Sequence, residues 1–136
     1  MTRDIYGTAA EAAALLREGQ QYRHDRSRAA DMVTVEEAGS IMGVEGSTIA
    51  AWIVGGKCIG LEDPDGAMKL PRWQFEPPAW SSIQRIGRSL GTRDSWQVLD
   101  FLETPASALG GMTPRVALER GMPVARVLAA AAAYAH

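Results

Sequence analysis

Apolar residues recur at three- and four-residue spacing along most of the chain, the period of helices that bury one face. Ala12, Leu15, Leu16, Gly19 and Tyr22 form the first such stripe, with Arg17, Glu18, Gln21 and Arg23 off it. Thr8 and Glu11 before it have capping-box spacing, in which hydroxyl and carboxylate satisfy two orphan backbone donors, so the helix is predicted to begin there. This amphipathic helix wants a partner surface. The mixed charges of Arg23 to Asp31 read as a solvated helical extension or a linker.

A second capping box, Thr34 with Glu37, opens a short helix carrying Val35, Ala38, Ile41 and Met42, which Gly43 can end in a left-handed turn. A further helix from about Gly46 to Val54 sets Ile49, Trp52 and Ile53 on one face, and the pair has helix-turn-helix spacing. Beyond Gly55-Gly56, residues 57–61 and 67–70 flank Glu62-Asp-Pro-Asp-Gly66, where Pro64 and Gly66 suit a type I turn and predict a small hairpin. Pro71, Pro77 and Pro78 break the pattern, Trp73 and Phe75 can close the subdomain, and Ile83, Ile86, Gly87 and Leu90 predict a helix over about 79–90. Asp94 caps the next helix, whose apolar face is Trp96, Leu99, Phe101 and Leu102. Thr113-Pro114 starts another that ends near Gly121, and Met122-Pro123 opens a final alanine-rich helix with Val124, Val127, Leu128, Ala131 and Ala135 along one stripe. The fold is predicted to be mainly α: residues 1–31 an N-terminal helix and linker, 32–76 a helix-turn-helix-like subdomain with a hairpin, and 77–136 a C-terminal helical domain.

The chain has 136 residues, 14 basic and 16 acidic side chains and one cysteine. It suits one core or two small subdomains, and no apolar run approaches the ~20 residues that span a bilayer. Without an apparent leader, and with Cys58 unable to form an internal disulfide, it reads as intracellular and cytoplasmic. The local charges are more informative than the total of −2: residues 1–31 are neutral, 32–76 carry −4 and 77–136 carry +2. The segment most like a DNA reader is thus the most acidic. Its second helix offers Ser47 and Thr48 but no Arg, Lys, Asn or Gln, whereas base and phosphate contacts draw mainly on such side chains. Arg85, Arg88 and Arg93 could add phosphate contacts from outside. A structural or dimerising role and a DNA-binding role both remain open for this module.

Catalytic machinery is not expected. His24 lies in the charged stretch and His136 is the last residue, which leaves no convincing base for a nucleophile. Cys58 has no second cysteine at metal spacing and reads as a small core residue. Glu62, Asp63 and Asp65 read as a solvated turn, and Gly110-Gly111 lacks the context of a phosphate loop. No enzyme, cofactor, metal or small-molecule substrate is therefore expected.

Residues 102–114 resemble the toxin-binding domain of the Xre/MbcA/ParS antitoxin family, whose signature runs Leu-x-Thr-Pro-Asn-x-Ala-Leu-Gly-Gly-x-Thr-Pro. Leu102, Thr104, Pro105, Ala108, Leu109, Gly110, Gly111, Thr113 and Pro114 stand in register, with Ala106 in place of asparagine and Ser107 where proline is frequent. The N-terminal helix, residues 34–52, Ile59-Gly-Leu61 and residues 70–75 are also similar to ParS-type members. The resemblance implies a type II antitoxin that inhibits a cognate RES-domain, NAD-consuming or ADP-ribosylating toxin by obstructing its active site with the antitoxin's C-terminal region. Carried onto this chain, it points to Leu109, Gly110, Gly111, Val124, Val127, Leu128, Ala131, Tyr134 and His136 as toxin contacts. It also implies repression of its own operon, against which the acidic module argues. The helix over residues 8–22 is the candidate for pairing two copies, as a homodimer or a two-plus-two complex with toxin. A stand-alone helix-turn-helix transcription regulator is the alternative, and a membrane-surface role for residues 122–136 is disfavoured by Arg126 being the only cation there.

Overall fold

The computed structural model describes the backbone of residues 2–135 and the side chains of residues 8–135. It is mainly helical with a small three-stranded antiparallel sheet. In chain order the elements are α1 (Thr2–Ser27), β1 (Met32–Val33), α2 (Val35–Met42), α3 (Gly46–Val54), β2 (Leu61–Glu62), β3 (Met68–Pro71), α4 (Ile83–Leu90), α5 (Ser95–Leu102), α6 (Pro114–Glu119) and α7 (Val124–Ala135). Short 3₁₀ turns occupy Arg72–Phe75, Trp80–Ser82 and Ser107–Leu109.

Local chemistry sets several of these boundaries. Thr34 and Glu37 form the expected reciprocal box, with hydrogen bonds of 3.1 and 2.9 Å, and Gly43 ends α2 at φ +70°. The turn into α3 folds back so tightly that a Cβ on Gly39 would lie 2.6 Å from the Val44 carbonyl oxygen, so only glycine fits there. In the hairpin, the Gly66 N–H donates to the Asp63 carbonyl at 2.7 Å around Pro64, the expected type I turn. At the N-terminal end one expectation fails: the first helix starts at Thr2, not Thr8. It continues to Ser27, so of the two readings of the charged stretch the helical extension is the one the structure has. Residues 32–33 then pair with β3 in the register Met32↔Pro71 and Val33↔Leu70, a third strand too short for alternation to reveal.

Burial divides into two clusters. Val33, Ala38, Ile49, Cys58, Leu70 and Phe75 form the smaller one beneath α2 and α3. The larger is built from α4 to α7 and takes in Ile59, Leu61 and Trp73 from the hairpin region, so the predicted boundary near residue 77 is a seam crossed by side chains. On the N-terminal side of that seam, the fully buried Gln74 ties two backbone segments together: its Oε1 accepts from the Ile59 N–H at 2.6 Å, and its Nε2 donates to the carbonyls of Ile59 and Pro71.

Arg26 ties α1 to the entry of β1 and to the end of α5. Its Nη1 and Nη2 donate to Asp31 at 2.7 and 2.9 Å, while Nε and Nη2 donate to Glu103 at 2.9 and 2.6 Å. The Asp31 carbonyl also receives the Arg72 N–H at 2.8 Å, which aligns β1 beside β3. At the next residue, the Ser27 hydroxyl donates to Asp63 at 2.7 Å, and the Asp65 N–H donates to the same carboxylate at 2.9 Å. Asp63 is buried, not part of a solvated turn as expected, because the end of α1 covers it.

Replacing Arg26 by Ala leaves two carboxylates facing each other with no cation between them, and we expect a loss of about 2–3 kcal/mol in urea unfolding. Lys, a point charge without the planar fork, should recover under half of that loss. Hydrogen bonds from Arg26 hold the Asp31 carboxyl below its usual range, and those from the Asp65 N–H and then Ser27 do the same for Asp63. A depressed carboxyl stabilises the fold fully above its unfolded value of about 3.9 and loses that contribution as pH falls through the lower folded value. Urea midpoints should therefore fall steeply below about pH 4, and Asp31→Asn should show a shallower acid limb.

Candidate functional site

The segment carrying the antitoxin-like signature folds as a closed loop between α5 and α6. The Thr104 hydroxyl donates to the Asp100 carbonyl at 2.6 Å, where α5 ends. Ala106 and Met112 are joined by an N–H to carbonyl bond of 3.0 Å, and the Gly111 N–H returns to the Ala106 carbonyl at 3.0 Å. Closing so short a loop requires two successive left-handed residues, which Gly110 (φ +69°) and Gly111 (φ +84°) supply. Leu109 plugs the loop into the core, and Thr113 caps α6 by accepting from the Val116 N–H at 3.1 Å, with Pro114 as its first residue. Thr104, Leu109, Gly110, Gly111, Thr113 and Pro114 of the signature thus have structural tasks as well as those the resemblance assigns.

A groove of about 280 Å³ lies between this loop and the end of α7. Thr104, Pro105 and Ala108 form one wall, Ala130, Ala133 and Tyr134 the other, and Phe101 the floor. Tyr134 is clamped at its rim: its hydroxyl donates to Asp100 Oδ2 at 2.8 Å, and its ring meets Phe101 edge-on at 5.4 Å. The bond to Asp100 raises the tyrosine pKa. The groove is lined mainly by small and apolar side chains on two rigid supports, a surface suited to an apolar segment of another protein.

The proposed contacts fall into three sets. Gly110, Gly111 and Tyr134 are exposed; Val124 and Leu128 are half-buried and pack on the larger core; Leu109, Val127 and Ala131 are inside it. His136 lies outside the described residues. The alanine-rich last helix is committed to its own fold on one face: α7 lays Val127, Ala130 and Ala131 into the core alongside α4. Its free face is Ala129, Ala132, Ala133 and Tyr134. Ala133 was not among the expected contacts, and its only signal is to be a small residue off the buried stripe of α7. Pro105 and Ala108 stand in the signature but were not singled out as contacts.

The predicted DNA contacts do not form one patch. Ser47 is exposed and Thr48 half-buried in the first turn of α3, whereas Arg88 lies with Arg93 beside Gly55 and Gly56, at the opposite end of that helix. Arg85 is exposed on α4. Lys57 spends its charge on its own aromatic neighbours, with Nζ 4.5 Å from the Trp52 ring and 5.6 Å from that of Trp80.

His24, Asp63 and Asp65 bring potential ligand atoms within 4.8 Å of one another. Arg28 already occupies that site, 3.0 Å from Asp65 and 3.8 Å from Asp63, and it would oppose a metal cation. Burial pushes the Cys58 thiol up to about 12, so it is held protonated and shielded, consistent with its reading as a core residue.

Removing the tyrosine hydroxyl with Tyr134→Phe should cost at most about 1 kcal/mol in urea unfolding, since the bond is exposed. A chain ending at Ala129 loses two core alanines and should lose clearly more, visible as a lower thermal midpoint. Comparison of the chain with models of known protein families, with curated proteins and with solved structures found no match.

Proposed function

We propose that the chain is an antitoxin that binds a RES-domain, NAD-consuming toxin and blocks its active site with the surface formed by the 104–111 loop and the end of α7. The observation that carries this reading is the coincidence of two independent features. The residues in register with the toxin-binding signature close the loop, and that loop forms one wall of the groove whose other wall is the C-terminal helix. The signature thus brings together the two chain segments to which the resemblance assigns inhibition. The chain's charge distribution agrees, since the segment from residue 77 onward carries no excess of acid and its exposed α7 face is small and apolar.

Inhibition by this surface is steric. A rigid loop and helix placed across the toxin's NAD cleft exclude the substrate without any chemistry of their own. Preorganisation matters here, because a surface already ordered in the free chain loses little conformational entropy on binding.

Ala108→Arg and Ala133→Arg place bulk and charge on opposite walls at exposed positions. Each should leave stability within about 0.5 kcal/mol of the parent chain. Toxin affinity should fall at least tenfold for each, with NAD consumption by the toxin restored at antitoxin concentrations where the parent chain suppresses it. Full suppression by both variants would refute the proposed surface.

A further inference from the structure

The N-terminal helix α1 carries an apolar stripe that its own fold does not cover. Leu15 and Leu16 are 67% and 68% exposed, and a Cβ built on Gly19 would meet nothing within 4 Å. Positions 12, 15, 16, 19, 22, 23 and 26 recur at three- and four-residue spacing and so share one face of the helix. The C-terminal end of that face is docked: Arg26 holds Glu103, the Tyr22 ring lies 6.3 Å from that of Trp96, and the Arg23 guanidinium sits 5.2 Å from the Trp96 ring. The leucines therefore stand on the face that looks towards α5, but further out, where the described residues leave them largely uncovered.

Between that face and α5 lies a groove of about 220 Å³ lined by Gly19, Tyr22, Trp96, Gln97 and Asp100. Gln97 and Asp100 also line a second groove, of about 340 Å³, which reaches Tyr134. Tyr134 in turn forms the rim of the loop groove. The uncovered stripe of α1 is thus one end of a surface that continues across α5 to the proposed toxin-blocking site.

Charge distinguishes between the two occupants this stripe could have. Glu11, Glu18 and Asp25 are exposed and follow one another at seven-residue spacing along one flank of the stripe. Were two copies of α1 to pair antiparallel about a two-fold axis, like flanks would meet, setting Glu11 and Glu18 of one copy opposite Glu18 and Glu11 of the other. Such pairs repel. A different protein presenting an apolar ridge edged by Lys or Arg meets no such opposition.

We propose that the α1 stripe is a second toxin-docking element, in which Leu15, Leu16 and Gly19 receive an apolar ridge of the toxin and Glu11 and Glu18 pair with basic residues at its edge. This rests on the antitoxin reading above. It extends the interface from the toxin's active site to a distant part of its surface, so that one molecule of toxin is gripped at two places.

The test titrates the full chain against the RES-domain toxin and weighs the free chain by light scattering. Leu15→Glu with Leu16→Glu changes only exposed side chains, and should weaken toxin binding at least tenfold while leaving the circular dichroism and the mass of the free chain unchanged. Glu11→Lys with Glu18→Lys should weaken it several-fold and flatten its dependence on salt. Affinity within twofold of the parent chain for the leucine pair would overturn the proposal. A parent dimer that the same pair converts to a monomer would assign the stripe to a second copy and overturn it as well, whatever the toxin affinity. If Ala108→Arg and Ala133→Arg abolish binding and the leucine pair does not, this inference alone falls; if the parent chain forms no complex with the toxin, both fall.

Discussion

A single guanidinium fastens the end of α1 to two distant parts of the chain. Arg26 is the penultimate residue of α1, and its planar fork is shared between Asp31, at the entry to β1, and Glu103, the residue that ends α5. With most of its side chain withdrawn from water, an arginine there is tolerable only if its donors are satisfied, and four hydrogen bonds from three nitrogens do so. The arrangement is directional as well as charged. It fixes the angle at which α1 leaves the body and the register in which β1 lies on β3.

Much of the remaining architecture follows from where this node sits. The last turns of α1 are fastened by Arg26, by Ser27 on the buried Asp63 and by Tyr22 and Arg23 on Trp96. Further out, Leu15 and Leu16 stand largely in water. An apolar face left in water is a poor solution for the free chain. It becomes a good one once a partner covers the face. The C-terminal half solves the opposite problem: the loop from Thr104 to Met112 and the helix α7 are locked to the core through Leu109, Val127 and Ala131, and so present an ordered surface before any partner arrives.

Elements governed by local rules were legible in the sequence. The Thr34/Glu37 box, Gly43, the Pro64 turn, the Asp94 cap and the Thr113-Pro114 start each depend on side chains within a few residues of one another, and the structure has them where the pattern put them. What was hidden depends on distant pairs. Arg23 to Asp31 looked like solvated charge because the partner of Arg26 lies 77 positions away, and Asp63 looked like part of a solvated turn because the helix that buries it is 36 positions upstream. The groove was hidden for a different reason. One wall is the loop, and the other is made largely of small residues on α7, where periodicity reports the buried face and not the one left free. The apolar stripe on α1 was legible as a face in search of a cover, but the charge on its flank acquires meaning only beside a definite neighbour.

The most direct test of this account is amide hydrogen exchange on the full chain with and without the RES-domain toxin. The account predicts added protection in two places, residues 104–111 with 130–135, and residues 12–22, while α2 and α3 exchange as they do in the free chain. Protection confined to α2 and α3, or none in either predicted segment, would contradict it.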